Sequence, residues 1–240
     1  MTLRTRNKIT RIFTLFTAII SIFILILFGL QWFQQGFIYT QIHLSLFSNL
    51  KVLLFTKNLF ASILSIFLLM IYAPITGLVI LFNFEKTHSS EILYFTGFLL
   101  GCFLESARLL IPLFDLWNGL SIMLVYSGRI MFFGEMLAIF CLLAFGLSTA
   151  SSEAQDSSRT ILLFLIASVF FTTLVPVKTS EITESIRVTT GFSVVIKSIR
   201  LFFIISSTIC YVVMAIKANS KELIFLALDF LIMALSYSLL

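Results

Sequence analysis

Long apolar runs dominate the chain, and short polar stretches separate them. Seven runs are long enough to cross a hydrocarbon core about 30 Å thick, which takes about 20 mostly apolar residues in a helix. None alternates apolar and polar residues with a period of two, so the pattern predicts helices rather than the strands of a barrel. The predicted spans are residues 12–30, 59–84, 92–114, 120–147, 160–177, 192–216 and 223–240.

The segment before the second span, residues 40–55, has two interpretations. Ile42, Leu46, Leu50 and Leu53 recur at nearly helical spacing, with polar residues between them. This pattern is typical of an amphipathic helix that lies in the membrane interface. A longer, tilted second span explains the same residues, and the pattern leaves both interpretations open.

The composition also indicates a membrane protein. Apolar residues make up 60% of the 240 positions and charged residues only 11%, whereas soluble domains carry about 25% charged residues. The same numbers exclude disorder, because a disordered chain has low hydrophobicity and high charge. We therefore expect an all-α membrane protein in the lipid bilayer, a polytopic bundle of about seven transmembrane helices (range 6–8) that forms one domain over residues 1–240.

Lys and Arg residues are distributed unevenly between the two sets of loops, and this predicts the orientation. With a cytoplasmic N-terminus, the cytoplasmic side carries Arg4, Arg6, Lys8, Arg11, Lys86, Arg159, Lys217 and Lys221, and the other side carries Lys51, Lys57, Lys178 and Arg187. The first apolar run is longer than the core of a signal peptide, and no small-residue cleavage site follows it, so we expect a retained helix. The expected location is the inner membrane of a bacterium, with the N-terminus cytoplasmic and the C-terminus outside.

Several ionisable residues fall inside the predicted spans, where each costs on the order of 3 kcal/mol at mid-helix unless it is paired or hydrated. Glu105, Glu135 and Asp229 lie near the middle of their spans. The intramembrane cations lie nearer the end of the bundle away from the N-terminus, because the third helix runs opposite to the fourth and sixth. These cations are Arg108, Arg129, Lys197 and Arg200.

Two interpretations of these charges remain open. In the first, the four cations line a cavity in the outer half of the bundle and bind, or also transport, an anionic small solute or a lipid headgroup. Arginine presents a planar fork of donors that fits carboxylate and phosphate, and the acids would hold the arginines in place or carry a coupled proton. In the second, the charges are interhelical ion pairs in a sensor, accessory or scaffold subunit that acts through a partner protein. If the sixth helix begins only at Leu201, Lys197 and Arg200 become loop residues.

The chain offers little for catalysis or metal binding. His43 and His88 are isolated in different loops, and Cys102, Cys141 and Cys210 lie in spans without a paired-cysteine motif. No glycine-rich phosphate loop, GxSxG or HExxH motif is present. We therefore expect a protein that is not an enzyme and has no metal or cofactor. A nucleic-acid partner is not expected either, because the net charge of +5 is not concentrated on a basic surface domain.

Overall fold

A computed structural model of the chain is a bundle of long apolar helices. It describes residues 3–35, 59–85, 87, 91–114, 116, 122–150, 157–183, 186–218, 225, 228 and 231–232. Five of the helices in these ranges are long and apolar enough to cross a membrane. The structure is thus consistent with the expected all-α membrane bundle.

Helices account for most of the described residues. They are α1 (Leu3–Gln35), α2 (Leu59–Phe84), α3 (Glu91–Glu105), α4 (Leu110–Leu113), α5 (Ile122–Ala150), α6 (Ser157–Leu174) and α7 (Ser193–Ala218). A 3-10 helix over Ser106–Leu109 joins α3 to α4, so these three pieces form one continuous span. Between α6 and α7, an antiparallel hairpin pairs β1 (Val177–Ile182) with β2 (Val188–Thr190).

Most of the predicted spans correspond to these helices. Helices long enough to cross a membrane occupy the predicted spans at 12–30, 59–84, 92–114, 120–147 and 192–216. Because α7 begins at Ser193, Lys197 and Arg200 are helical residues rather than loop residues. The count of seven is not confirmed, since the amphipathic segment at 40–55 and most of the span at 223–240 lie outside the described residues.

The predicted span at 160–177 differs from the structure at its end. The corresponding helix α6 stops at Leu174, and Val177 lies in β1 instead. Pro176 explains the early stop, because proline lacks a backbone N–H and disfavours helical geometry at the residue before it. The apolar part of α6, Arg159–Leu174, is therefore shorter than a membrane span, which needs about 20 residues.

The hairpin after α6 is built from residues that favour strands, although the sequence pattern alone places them in a loop. Six of its nine strand residues are β-branched Val, Ile or Thr. Its base closes where the Gly191 N–H donates to the Pro176 carbonyl oxygen at 2.7 Å. A Cβ at position 191 would lie 2.7 Å from the proline ring, so this close approach requires glycine.

The hairpin is inserted into the bundle. Ile186 and Val188 are at most 1% exposed and pack in one core cluster with Met70, Leu109 and Leu124. Ile186 adopts a left-handed backbone conformation with φ of 55°, which costs about 1–2 kcal/mol and is offset by the burial of its side chain. Non-helical backbone is tolerated at membrane depth where protein surrounds it. We call the end of the bundle that contains the hairpin the hairpin end.

The spans α3 and α5 cross at two glycines in the most buried part of the bundle. A Cβ on Gly101 would lie 2.6 Å from the Gly134 carbonyl oxygen, and a Cβ on Gly134 would lie 2.6 Å from the Gly101 carbonyl oxygen. Small residues at such a crossing let two membrane helices approach closely. Glu105 lies one turn after Gly101, and Glu135 directly follows Gly134, so the crossing brings these two acids to a similar depth.

We expect Gly101→Ala to destabilise the protein by about 1–3 kcal/mol, because the added methyl group must push two backbones apart. Gly29→Ala is the matched control, since a Cβ at Gly29 in α1 meets nothing within 4 Å. Thermal unfolding of the purified chain in detergent, followed by tryptophan fluorescence, measures both effects. An equal midpoint of thermal unfolding for the two variants would contradict the close approach of α3 and α5 at these glycines.

Candidate functional site

Charged side chains from several elements meet in the interior of the bundle. We call them the charge cluster: Glu105, Arg108, Glu135, Arg187 and Arg200. They are contributed by α3, the 3-10 helix, α5, the turn of the hairpin and α7. Four of the side chains are buried, whereas the side chain of Arg187 is 24% exposed. Because an isolated charge at this depth is costly, mutual pairing is what makes their burial tolerable.

Glu105 and Arg108 form an ion pair within one span. They are three residues apart and therefore share a helix face. The Nη2 atom of Arg108 donates to Oε1 of Glu105, and its Nε donates to the Glu105 carbonyl oxygen at 3.4 Å. Both side chains are at most 2% exposed, so water screens their attraction weakly.

The 3-10 helix that carries Arg108 follows from the position of Pro112. Proline has no N–H, and in an α-helix its ring clashes with the carbonyl four residues earlier, which here belongs to Arg108. The chain tightens instead, and the Leu110 N–H donates to the Ala107 carbonyl oxygen. The Ser127 hydroxyl of α5 donates to the same oxygen at 3.0 Å, which ties this segment to α5. Stretches of 3-10 helix inside a longer helix often mark a hinge or a strained site.

A second ion pair joins α5 to α7. The Nη2 atom of Arg200 contacts Oε1 of Glu135, and their side chains are 9% and 3% exposed. Arg200 lies two turns inside α7, at a position whose side chain faces α5. This pair and the Glu105–Arg108 pair each place one cation beside one carboxylate.

Arg187 bridges the two acids. Its Nη2 atom lies 3.4 Å from Oε1 of Glu105 and 3.2 Å from Oε2 of Glu135. Two carboxylates that share one neighbouring nitrogen are close enough to repel each other, and the guanidinium between them offsets that repulsion. The hairpin therefore supplies the cation that links the two helix-borne pairs.

Thr183 fixes the backbone at Arg187. The Thr183 N–H donates to the Arg187 carbonyl oxygen at 2.9 Å, and the Thr183 hydroxyl donates to the same oxygen at 3.1 Å. The Thr183 hydroxyl oxygen also accepts from the Arg187 N–H at 3.2 Å. These bonds close the turn of the hairpin and hold Arg187 where its side chain reaches both acids.

The charge cluster has more donors than acceptors. Its three guanidinium groups face two carboxylates, which leaves one net positive charge when both acids are ionised. Glu105 receives both of its cations on Oε1, and its Oε2 is buried with no hydrogen-bond partner within the described part of the chain. The same holds for Nε of Arg187. Buried polar atoms are nearly always hydrogen-bonded, so these two atoms require an explanation.

The structure brings together four of the residues that the sequence singles out: Glu105, Arg108, Glu135 and Arg200. They meet because the glycine crossing aligns α3 with α5, and α7 also packs against α5. Asp229, the remaining acid, lies outside the described residues.

Arg129 and Lys197 are not in the cluster, which corrects their expected interior position. Both side chains are exposed. Arg129 shares the exposed face of α5 with Tyr126 and Ile130, and Lys197 lies near the start of α7. Long cationic side chains near a helix end extend to the membrane surface, so the depth of the backbone does not fix the depth of the charge.

Arg187 is the member of the cluster that sequence reasoning misses, because polar neighbours place it in a loop. Two sequence signals point toward it. The β-branched residues between Pro176 and Gly191 indicate strands, and the Gly97-x-x-x-Gly101 pattern indicates the close helix crossing beneath them. Neither signal by itself shows that the turn reaches the acids.

The charge cluster offers carboxylate and guanidinium groups, which recognise charge and accept or donate hydrogen bonds. Over the described ranges, no group of three or more His, Cys, Asp and Glu side chains is arranged to hold a metal ion. The thiols of Cys102 and Cys141 are free and buried in the apolar core, and the thiol of Cys210 is partly buried. These thiols form no part of the cluster.

We expect Arg108→Ala to lower the free energy of unfolding by about 2–4 kcal/mol, because it leaves a buried carboxylate without its nearest cation. Arg129→Ala and Lys197→Ala are matched controls with exposed side chains, and we expect each to change stability by less than about 0.5 kcal/mol. Chemical unfolding in mixed detergent micelles provides the comparison. Similar losses of stability in all three variants would show that the buried ion pair of Arg108 does not contribute more to the stability of the protein than an exposed cation does.

Comparison with known proteins identifies no relative of this chain. No family model, no curated protein and no solved structure matches the chain. The geometry of the charge cluster and the helices that hold it are therefore the basis for inferring the function of this protein.

Proposed function

We propose that this membrane protein binds an anionic small solute or a lipid headgroup at the charge cluster. The observation that carries the proposal is the excess of positive charge in the charge cluster, where the described residues place three arginines, one of them partly exposed, against two acids. A net charge in a poorly solvated interior is unfavourable, and one bound monoanion would neutralise it. Arginine also suits this role, because its planar fork of donors matches carboxylate and phosphate groups.

Arg187 is the residue that would meet the anion. Its side chain is 24% exposed, while those of Arg108 and Arg200 are 1% and 9% exposed. Glu105 and Glu135 each retain an arginine of their own, so Arg187 is the cation that the acids need least. An anion arriving from the hairpin end would pair with Arg187 and leave the other two ion pairs intact.

Transport of the bound anion is part of the same proposal. A short two-stranded hairpin has little stability of its own, and this one has an irregular register between Lys178 and Ile182. The hairpin depends on its contacts with the helices, so it is the element whose displacement would open the cluster at one end. The acids would then hold the arginines in place or carry a proton with the anion.

The finer points of topology belong to this proposal as well. We propose seven spans, counting the short helix α6 as one of them, an amphipathic helix at 40–55 and location in the inner membrane of a bacterium, with the N-terminus cytoplasmic and the C-terminus outside. The excess of Lys and Arg on the N-terminal side supports this orientation. In this arrangement the hairpin end faces the outside, so the anion enters from there.

A sensor or scaffold role is the second candidate. The separate pairing of Glu105 with Arg108 and of Glu135 with Arg200 favours it, because both pairs also serve as structural contacts. In this role the protein acts through a partner subunit and binds no anion. Neither candidate assigns the protein an enzymatic reaction.

Anion binding to the purified protein separates the two candidates. We expect at least one of phosphate, sulfate and acetate to bind saturably in isothermal titration calorimetry at constant ionic strength. Arg187→Ala should weaken this binding at least about tenfold, because it removes the charge-assisted donor. The variant should still fold, since it leaves two arginines for two acids.

Arg129→Ala serves as the control that removes an equal charge from an exposed position. We expect its affinity to stay within about twofold of the unmodified protein, because a single exposed charge contributes little. If none of the three anions binds, or if binding survives Arg187→Ala, the proposed function is wrong and the structural role is favoured.

A further inference from the structure

Two of the buried atoms without a hydrogen-bond partner in the described part of the charge cluster belong to groups that touch each other. Oε2 of Glu105 is an acceptor, and Nε of Arg187 is a donor. The two groups are joined by the 3.4 Å contact between Arg187 Nη2 and Glu105 Oε1. An acceptor and a donor without partners therefore belong to two side chains that are in direct contact.

The arrangement of the guanidinium group directs a ligand to this place. Nε–H and one N–H of Nη2 run parallel along one edge of the guanidinium plane, which is the edge that binds oxyanions through two hydrogen bonds. In Arg187 the Nη2 end of that edge contacts the two acids, and the Nε end has no partner in the described part of the chain. An oxyanion that accepts from Nε would thus lie next to Glu105.

A carboxylate beside a bound anion selects for a particular chemistry. Ionised Glu105 can only accept hydrogen bonds, so a fully ionised oxyanion would place its oxygens against Oε2 and be repelled. An oxyanion that keeps one hydroxyl would donate to Oε2 and accept from Arg187 Nε at the same time. Both orphaned atoms would then be satisfied.

From this pairing we propose that the site takes a phosphate group that retains a hydroxyl, either free hydrogen phosphate or the headgroup of a phosphomonoester lipid. This inference rests on the proposed anion-binding function and specifies its ligand. Glu105 is the selective residue, Arg187 supplies the charge, and Arg108 orients Glu105 through its contact with Oε1.

Phosphate and sulfate provide the direct comparison, because both are tetrahedral and of similar size, but sulfate has no hydroxyl near neutral pH. We expect the purified protein to bind phosphate at least about tenfold more tightly than sulfate at about pH 6, since sulfate leaves the buried acceptor unpaired. Equal affinity for the two anions would overturn the hydroxyl inference and leave the proposed function standing. Absence of binding by any anion would overturn both.

Two glutamate variants test the assigned residue. Glu105→Gln replaces one acceptor oxygen by an amide donor, so sulfate affinity should rise to within about threefold of phosphate affinity. Glu85→Gln is the control, because Glu85 is an exposed acid at the opposite end of the bundle, paired with Arg11 at 3.8 Å. It should keep the preference for phosphate. Retained selectivity in folded Glu105→Gln would overturn the role of Glu105, while the comparison on the unmodified protein stands whether or not this variant folds.

Lipids distinguish the two sources of the phosphate group. Phosphatidic acid carries a phosphomonoester, whose second pKa is about 6, whereas the phosphodiester of phosphatidylglycerol has no hydroxyl on phosphorus. Binding of short-chain phosphatidic acid, but not of short-chain phosphatidylglycerol, at about pH 6 supports a lipid headgroup as the ligand. Binding of inorganic phosphate with no response to either lipid supports free phosphate. Equal binding of both lipids overturns the inference.

Discussion

Two carboxylates buried in the middle of an apolar bundle impose the constraint on which the rest of this structure depends. Glu105 and Glu135 come together because α3 and α5 touch at Gly101 and Gly134, where no side chain separates the backbones. Like charges at this distance and depth are tolerable only with cations between and beside them. Three arginines from three different elements supply these cations, and the helices are held together around them.

The hairpin supplies one of these three arginines. A β-hairpin inside a membrane bundle must have its backbone enclosed by protein, and Ile186 and Val188 achieve this by packing in the core. Their burial carries the turn inward and brings Arg187 to the acids. The same hairpin is short and irregular, and its arginine is the partly exposed member of the cluster. The hairpin therefore both stabilises the pair of buried acids and provides the partly exposed side of the charge cluster.

Particular residues show what the sequence can and cannot predict here. The second span is predicted at 59–84 and found at Leu59–Phe84, because a long apolar run has one stable form in lipid. The depth of Glu105 and Glu135 can be predicted by counting residues along their helices. The contacts between charged side chains cannot be predicted in this way, because the rotation of each helix about its axis decides that Arg200 faces inward and Arg129 outward. Arg187 is hardest to predict, because only tertiary packing places its turn among the helices.

A double-mutant cycle on stability measures whether Arg187 bridges the two acids. The free energy of unfolding is measured in detergent for the unmodified protein, Arg187→Met, Glu135→Gln and the double variant. If Arg187 contacts Glu135 as the 3.2 Å distance indicates, the two changes should be coupled by about 1 kcal/mol or more. Effects of the two changes that add to within about 0.3 kcal/mol would show that Arg187 does not bridge the two acids.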